Sequence, residues 1–181
     1  MVVGDTTAQE AAIPYPNEMR LMAAFMTTVL AASARGGRAL RRFAASAKPL
    51  FDAAKKKIRA YHLFAKTKKV RDQMMGQVAA QVSRIQRGLS AVLRRVPHRC
   101  GGRVAAARAR VSHLHGTMAK LLPQIRYWLR TGRVARNKII NLVMPEVHSI
   151  VRGKVGKPVE FGVKWGFTRL GGGYLLARRG R

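Results

Sequence analysis

Cysteine and acidic residues are both scarce in this chain. Cys100 is the only cysteine among 181 residues, which excludes a disulfide framework or a thiolate metal site built within one chain. Seven residues are acidic and 36 are lysine or arginine, so the formal net charge is +29. Self-repulsion at that charge opposes compaction, and a polyanionic partner is therefore expected. Nucleic acid is the commonest such partner, and an anionic membrane surface is the alternative.

Long apolar runs are absent as well. The longest, Leu21–Ala34, has 14 residues and contains Thr27, Thr28 and Ser33. It is too short and too polar to span a bilayer. The N-terminus has no basic region ahead of an apolar run, so a secretory signal is not expected. These features favour a cytoplasmic protein with no membrane partner.

The positive charge is concentrated in the middle of the chain. Residues 35–135 contain 25 lysines and arginines and only two acidic residues, Asp52 and Asp72, a net charge of +23. Residues 1–34 have a net charge of −2. Any function that depends on positive charge therefore belongs to the middle segment.

The same middle segment has a helical pattern. Asn17 is a suitable N-cap for a helix from Glu18 to about Ala34, which Gly36 and Gly37 would end. From residue 38 to residue 122, apolar residues recur at spacings of three and four, which predicts successive helices. Two long helices on either side of residues 97–102 are expected to form an antiparallel hairpin. Pro123 is expected to begin a new, shorter segment.

The two ends of the chain have strand patterns. Val2 and Val3 form a short apolar run just before Asp5, which predicts a short strand ending at that carboxylate. Between Val159 and Phe167 apolar residues alternate with others, which predicts a strand, and a glycine turn at 171–173 leads to a second strand at 174–177. The expected fold is α+β and predominantly helical: residues 1–17 form a first strand and an extended segment, 18–144 a helical basic insert, 145–177 a β-hairpin and 178–181 a tail.

Two blocks at the ends carry a family resemblance. The first consists of Asp5, Thr6, Thr7, Glu10, Ile13, Tyr15 and Pro16, and the second of Pro145, His148, Ile150, Gly153, Lys154, Pro158, Val159, Glu160, Phe161 and Gly162. In this order, around a basic helical insert, they resemble the catalytic region of bacterial insertion-sequence DDE transposases.

The resemblance implies an incomplete ribonuclease-H-like sheet. It also implies that Asp5 is the first of three carboxylates that hold two Mg²⁺ ions for cleaving and joining DNA strands. The family's other two carboxylates lie downstream of the position of Glu160, and no acidic residue follows Glu160 here. The expectation is a truncated transposase that binds no Mg²⁺ productively, located at the bacterial nucleoid. An intact transposase or a second copy of the chain is a further possible partner, and no small-molecule substrate is expected.

The basic runs are the candidate DNA contacts. Such contacts with phosphates would be independent of sequence and strongly dependent on salt. The residues predicted to make them are Arg41, Arg42, Lys55, Lys56, Lys57, Lys66, Lys68, Lys69, Lys154 and Lys157. Two alternatives stay open: a non-enzymatic nucleic-acid-binding protein associated with the nucleoid or with RNA, and a cationic amphipathic protein acting on membranes.

Overall fold

Four helices form the middle of the chain in the computed structural model, which describes residues 3–10, 17–96, 101–154, 157–169 and 175–179. They are α1 (Glu18–Ala34), α2 (Arg38–Phe64), α3 (Lys68–Arg95) and α4 (Gly102–Thr131). The chain divides into a helical unit, Asn17–Lys138, and a sheet unit made of residues 1–16 and 139–181. The α+β, predominantly helical fold expected from the sequence is confirmed.

Helix α1 contacts the other three helices of the helical unit. Its predicted cap is confirmed, because the Asn17 Oδ1 atom accepts a hydrogen bond from the Met19 backbone N–H at 2.8 Å. Met22, Phe25 and Val29 are fully buried. A helix with neighbours on several sides buries more than one face, which explains the weak amphipathic pattern of this segment.

Helices α2 and α3 pack antiparallel. Phe43, early in α2, lies beside Gly88, late in α3: a Cβ atom added to that glycine would be 3.2 Å from the phenyl ring. Towards the other end of α2, the Lys57 Nζ atom donates to Gln77 Oε1 at 2.6 Å. Gly88 therefore allows a close approach that a larger residue would obstruct.

Helices α3 and α4 form the predicted antiparallel hairpin. Gly76 lies near Leu129, and the Arg126 Nη2 atom donates to Ser83 Oγ at 2.7 Å. The expected break at Pro123 is wrong, since α4 continues through it to Thr131. A proline removes one helical hydrogen bond, but burial of apolar residues on both sides of it, including Leu121, Leu122 and Ile125, maintains the helix.

In its described residues the sheet unit contains four antiparallel strands: β1 (Val3–Glu10), β2 (His148–Lys154), β3 (Lys157–Arg169) and β4 (Leu175–Arg179). The long strand β3 is central. Strand β1 pairs with its second half, with Asp5 opposite Phe167, and β2 pairs with its first half, with His148 opposite Gly162. Strand β4 pairs with residues of β3 that also pair with β1. Strands β1 and β4 must therefore lie on opposite edges of β3.

Three expectations about the sheet are wrong. Strand β1 does not end at Asp5 but continues to Glu10, because it pairs with β3 along its whole length. The described part of the sheet has four strands, whereas a first strand and one hairpin were expected, because β2 was not predicted. Arg178 and Arg179, predicted as a tail, belong to β4, which forms the expected hairpin with β3. The extended segment expected at 11–16 and the glycine turn at 171–173 lie outside the described residues.

Candidate nucleic-acid interface

One face of α2 is lined with basic residues from end to end. We call it the α2 stripe, and its members are Arg38, Arg41, Arg42, Lys48, Lys55, Lys56 and Arg59, all exposed. They recur mainly at spacings of three, four and seven, which places them on one side of a helix. The opposite side carries the buried residues Leu40, Phe43, Ala47 and Ala54. Four of the predicted DNA contacts, Arg41, Arg42, Lys55 and Lys56, therefore lie on one continuous surface.

The length of the α2 stripe is close to the axial length of one turn of duplex DNA. Its ends, Arg38 and Arg59, are separated by 21 helical positions, which at 1.5 Å per residue is about 32 Å. One turn of B-form DNA is about 34 Å long. Asp52 is the one acidic residue on this face.

The remaining predicted lysines of the helical unit fall into two groups. Lys57 is half-buried and donates to Gln77, so it braces α2 against α3. Lys68 forms an ion pair with Asp72 at 2.5 Å and lies 5.9 Å from the centre of the Trp128 ring. Lys66 and Lys69, on either side of Lys68 in sequence, are exposed, as is Lys68 itself. The structure thus gives Lys57 and Lys68 contacts within the protein.

A groove between α3 and α4 brings together arginines that were not among the predicted DNA contacts. We call it the arginine groove. It has a volume of about 620 Å³ and is lined by Arg84, Arg87 and Arg126, with small residues such as Gly76 and Ala80 along it. Among the described residues, none that lines the groove is a carboxylate. Because guanidinium groups form paired hydrogen bonds with phosphate oxygens, this arrangement suits a phosphate group.

Ser83 positions one of these arginines. Its hydroxyl accepts from Arg126 Nη2 at 2.7 Å and donates to the backbone oxygen of Ala79 at 2.8 Å. The guanidinium is thereby fixed at the groove through a buried residue of α3. Arg126 is 42 and 39 positions from Arg84 and Arg87 in sequence, and only the pairing of α3 with α4 brings it beside them, so no sequence pattern could have identified it.

A second groove has the same character. It has a volume of about 680 Å³ and lies between the end of α1 and the start of α4, where Arg35, Arg103 and Arg110 surround an alanine-rich floor. Arg110 and Arg126 are 16 residues apart on α4, or about 24 Å along the helix axis. The two grooves are therefore separate sites on one helical unit.

Few carboxylates offset this charge. The helical unit contains three: Glu18, Asp52 and Asp72. The Glu18 carboxylate is paired with the Lys138 Nζ atom at 2.5 Å, and Asp72 is paired with Lys68. Neither is therefore available to neutralise the α2 stripe or the grooves.

The sheet unit brings the two sequence blocks together. Glu10 of the first block lies opposite Gly162 of the second, and Gly162 also lies opposite His148, so the three positions form one row across β1, β3 and β2. Phe161 follows in the next row, opposite Ser149. Asp5, Thr6, Thr7 and Glu10 lie on β1, Gly153 and Lys154 on β2, and Lys157 and Glu160 on β3.

Asp5 lies far from the other strand carboxylates. Glu10 is five residues further along β1, and Glu160 is seven residues along β3 from Phe167, the partner of Asp5. At about 3.3 Å per residue, these separations are roughly 17 Å and 23 Å. Ligands of one Mg²⁺ ion each lie about 2.1 Å from it. Among the described residues, no group of three His, Cys, Asp or Glu residues could hold a metal ion.

Comparison of the chain with known protein families, curated proteins and solved structures gives no match. Within the described ranges, none of the helices combines the length and the apolar character needed to cross a bilayer.

Proposed function

We propose that the helical unit binds DNA through its phosphates, as part of a bacterial insertion-sequence DDE transposase. The main observation in favour of DNA as the partner is the α2 stripe. Seven exposed basic residues follow one helix face over about the length of a duplex turn. The two arginine-lined grooves add further sites for phosphates on the same unit.

The arrangement of the sheet supports the transposase relationship. The two blocks are separated by more than a hundred residues, yet β1 and β3 are adjacent strands. Two blocks that belong to one ribonuclease-H-like sheet would be expected to lie on neighbouring strands. On this proposal the helical unit is an insert between the first and later strands of that sheet, and the protein acts at the bacterial nucleoid.

We further propose that this chain does not catalyse strand cleavage or joining by itself. Two Mg²⁺ ions require several oxygen ligands close together, and the strand positions of Glu10 and Glu160 are about 17 Å and 23 Å from that of Asp5. A second copy or an intact transposase is the proposed partner at the outer edge of β1, which has no neighbouring strand in the described part of the sheet.

Catalytic inactivity is tested with purified chain, Mg²⁺ and duplex DNA carrying labelled ends. The expected result is no nicking or strand transfer above the background of a buffer control. The Asp5→Ala variant serves as the matched control. Cleavage by the wild type that this substitution abolishes would contradict the proposed inactivity.

DNA binding is tested by fluorescence anisotropy with a labelled duplex between 50 and 200 mM salt. Each phosphate contact contributes about −0.9 to the slope of log affinity against log salt. We expect a steep negative slope that becomes shallower by roughly 2.7 in the triple variant Arg41→Gln, Lys55→Gln, Arg59→Gln. An affinity that barely changes with salt would rule out phosphate contacts.

A non-enzymatic nucleic-acid-binding protein is the second candidate. It is favoured by the fact that the α2 stripe and both grooves lie within the helical unit, outside the two blocks. The genomic sequence next to this gene distinguishes the two candidate functions. A neighbouring reading frame that encodes the remaining aspartate and glutamate of the family would favour the transposase.

A further inference from the structure

The turn between α2 and α3 exposes apolar and aromatic side chains beside lysines. We call residues 61–69 the α2–α3 tip. Leu63 is 68% exposed and Phe64 is 69% exposed, the two highest values among the large apolar residues described as exposed. Tyr61 and His62 lie next to them, with ring centroids 5.4 Å apart in an edge-to-face arrangement.

Lysines frame these side chains. Lys66 and Lys69 are exposed, and the nearby Asp72 carboxylate is paired with Lys68. The tip therefore presents aromatic surface together with positive charge that the neighbouring carboxylate does not neutralise. This combination is typical of proteins that hold single-stranded nucleic acid, in which lysines track the backbone and aromatic rings stack on bases.

The tip is held in place by its own hydrogen bonds. The Lys66 N–H donates to the Phe64 carbonyl at 2.8 Å, and the Thr67 Oγ1 atom accepts from the Val70 N–H as the N-cap of α3. Further back, Lys57 joins α2 to Gln77 of α3. Because these hydrogen bonds already hold the turn, the backbone that carries the Phe64 ring loses little conformational entropy when a ligand covers the ring.

We propose that the α2–α3 tip binds unpaired bases of DNA, with Phe64 stacking on a base and Lys66 and Lys69 contacting the flanking phosphates. This inference rests on the proposed DNA-binding function and adds a base-contacting site to it. An anionic membrane is the weaker alternative. A membrane-bound amphipathic helix needs a whole apolar face, whereas the apolar face of α2 is buried in the helical unit and its outer face is the α2 stripe.

The test measures the affinity of the full chain for a labelled oligodeoxythymidylate by fluorescence anisotropy. We expect Phe64→Ala to weaken binding at least fivefold, the equivalent of about 1 kcal/mol for one stacked base. Phe64→Tyr should retain the affinity. The Phe64→Ala salt slope should match that of wild type, because no charge is removed, while Lys66→Gln with Lys69→Gln should make the slope shallower by about 1.4.

The matched control is Val134→Ala, which truncates another exposed apolar residue of the helical unit, 63% exposed and outside the tip. It should leave the affinity unchanged.

If wild type binds DNA with a steep salt slope but Phe64→Ala binds as tightly as wild type, the base-contacting tip is refuted and the proposed function stands. If wild type binds neither duplex nor single strand, both fail. If Phe64→Ala weakens binding to vesicles of phosphatidylserine and phosphatidylcholine and leaves the oligonucleotide affinity intact, the tip is a membrane contact and the inference is overturned.

Discussion

Neutralising the arginine groove should remove about three phosphate contacts from the DNA complex. The perturbation is the triple variant Arg84→Gln, Arg87→Gln, Arg126→Gln, which retains side-chain bulk. Each lost contact makes the slope of log affinity against log salt shallower by about 0.9, so the change is about 2.7. Over the fourfold range from 50 to 200 mM, this corresponds to a roughly 40-fold smaller loss of affinity for the variant than for wild type.

The structure indicates that this variant will fold. Arg84, Arg87 and Arg126 are exposed, and Ser83, which accepts from Arg126, keeps its hydrogen bond to the Ala79 carbonyl. Far-ultraviolet circular dichroism and thermal melting check this directly. The affinity is measured by fluorescence anisotropy with a labelled duplex at several salt concentrations.

A second triple variant controls for net charge. Arg130→Gln, Arg133→Gln and Arg136→Gln remove the same charge from exposed positions that line neither groove. The slope of this control should stay close to that of wild type. Equal slopes for the groove variant and wild type, or equal changes in the groove variant and the control, would refute the reasoning that the groove holds phosphates.

Three further predictions concern the stability of the helical unit. Phe25→Ala should lower the free energy of unfolding by about 3–5 kcal/mol in urea titrations, because a fully buried ring leaves a cavity; a loss below 1 kcal/mol would contradict the assigned core. Asn17→Ala should cost about 0.5–2 kcal/mol and Asn17→Ser much less, since serine can still cap α1; equal losses would exclude the capping role. Burial lowers the pKa of His115 below 6.5, so the unfolded state binds more protons and stability should fall as pH decreases through and below 6.5; His115→Gln should reduce that fall, and an unchanged pH dependence would argue against it.

Local patterns in the sequence were sufficient for helices α1 and α3. The Asn17 cap acts within one turn, and the apolar spacing between Val70 and Val92 follows from the geometry of a single helix. The charge of the middle segment was likewise evident from composition. These features depend on neighbours a few residues away, which is why they could be predicted without knowing the fold.

The continuation of α4 through Pro123 could not be predicted in the same way. Pro123 interrupts the hydrogen bonds of α4, and the local rule therefore favoured a break. Packing of the surrounding apolar residues against α1 and α3 decides the outcome, and this energy is visible only in the folded unit. The extension of β1 beyond Asp5 has a similar cause, because pairing with β3 supplies hydrogen bonds that no local pattern reports.

The sequence by itself determined that the protein is strongly basic, mostly helical and poor in carboxylates, because composition and helical periodicity are properties of the chain. Only the tertiary structure decided which basic residues share a surface. It placed Arg126 beside Arg84 and Arg87, engaged Lys57 and Lys68 within the protein, and left Phe64 exposed among lysines. The physical reason is that a binding surface is formed by residues distant in sequence, and helix pairing and strand register bring them together.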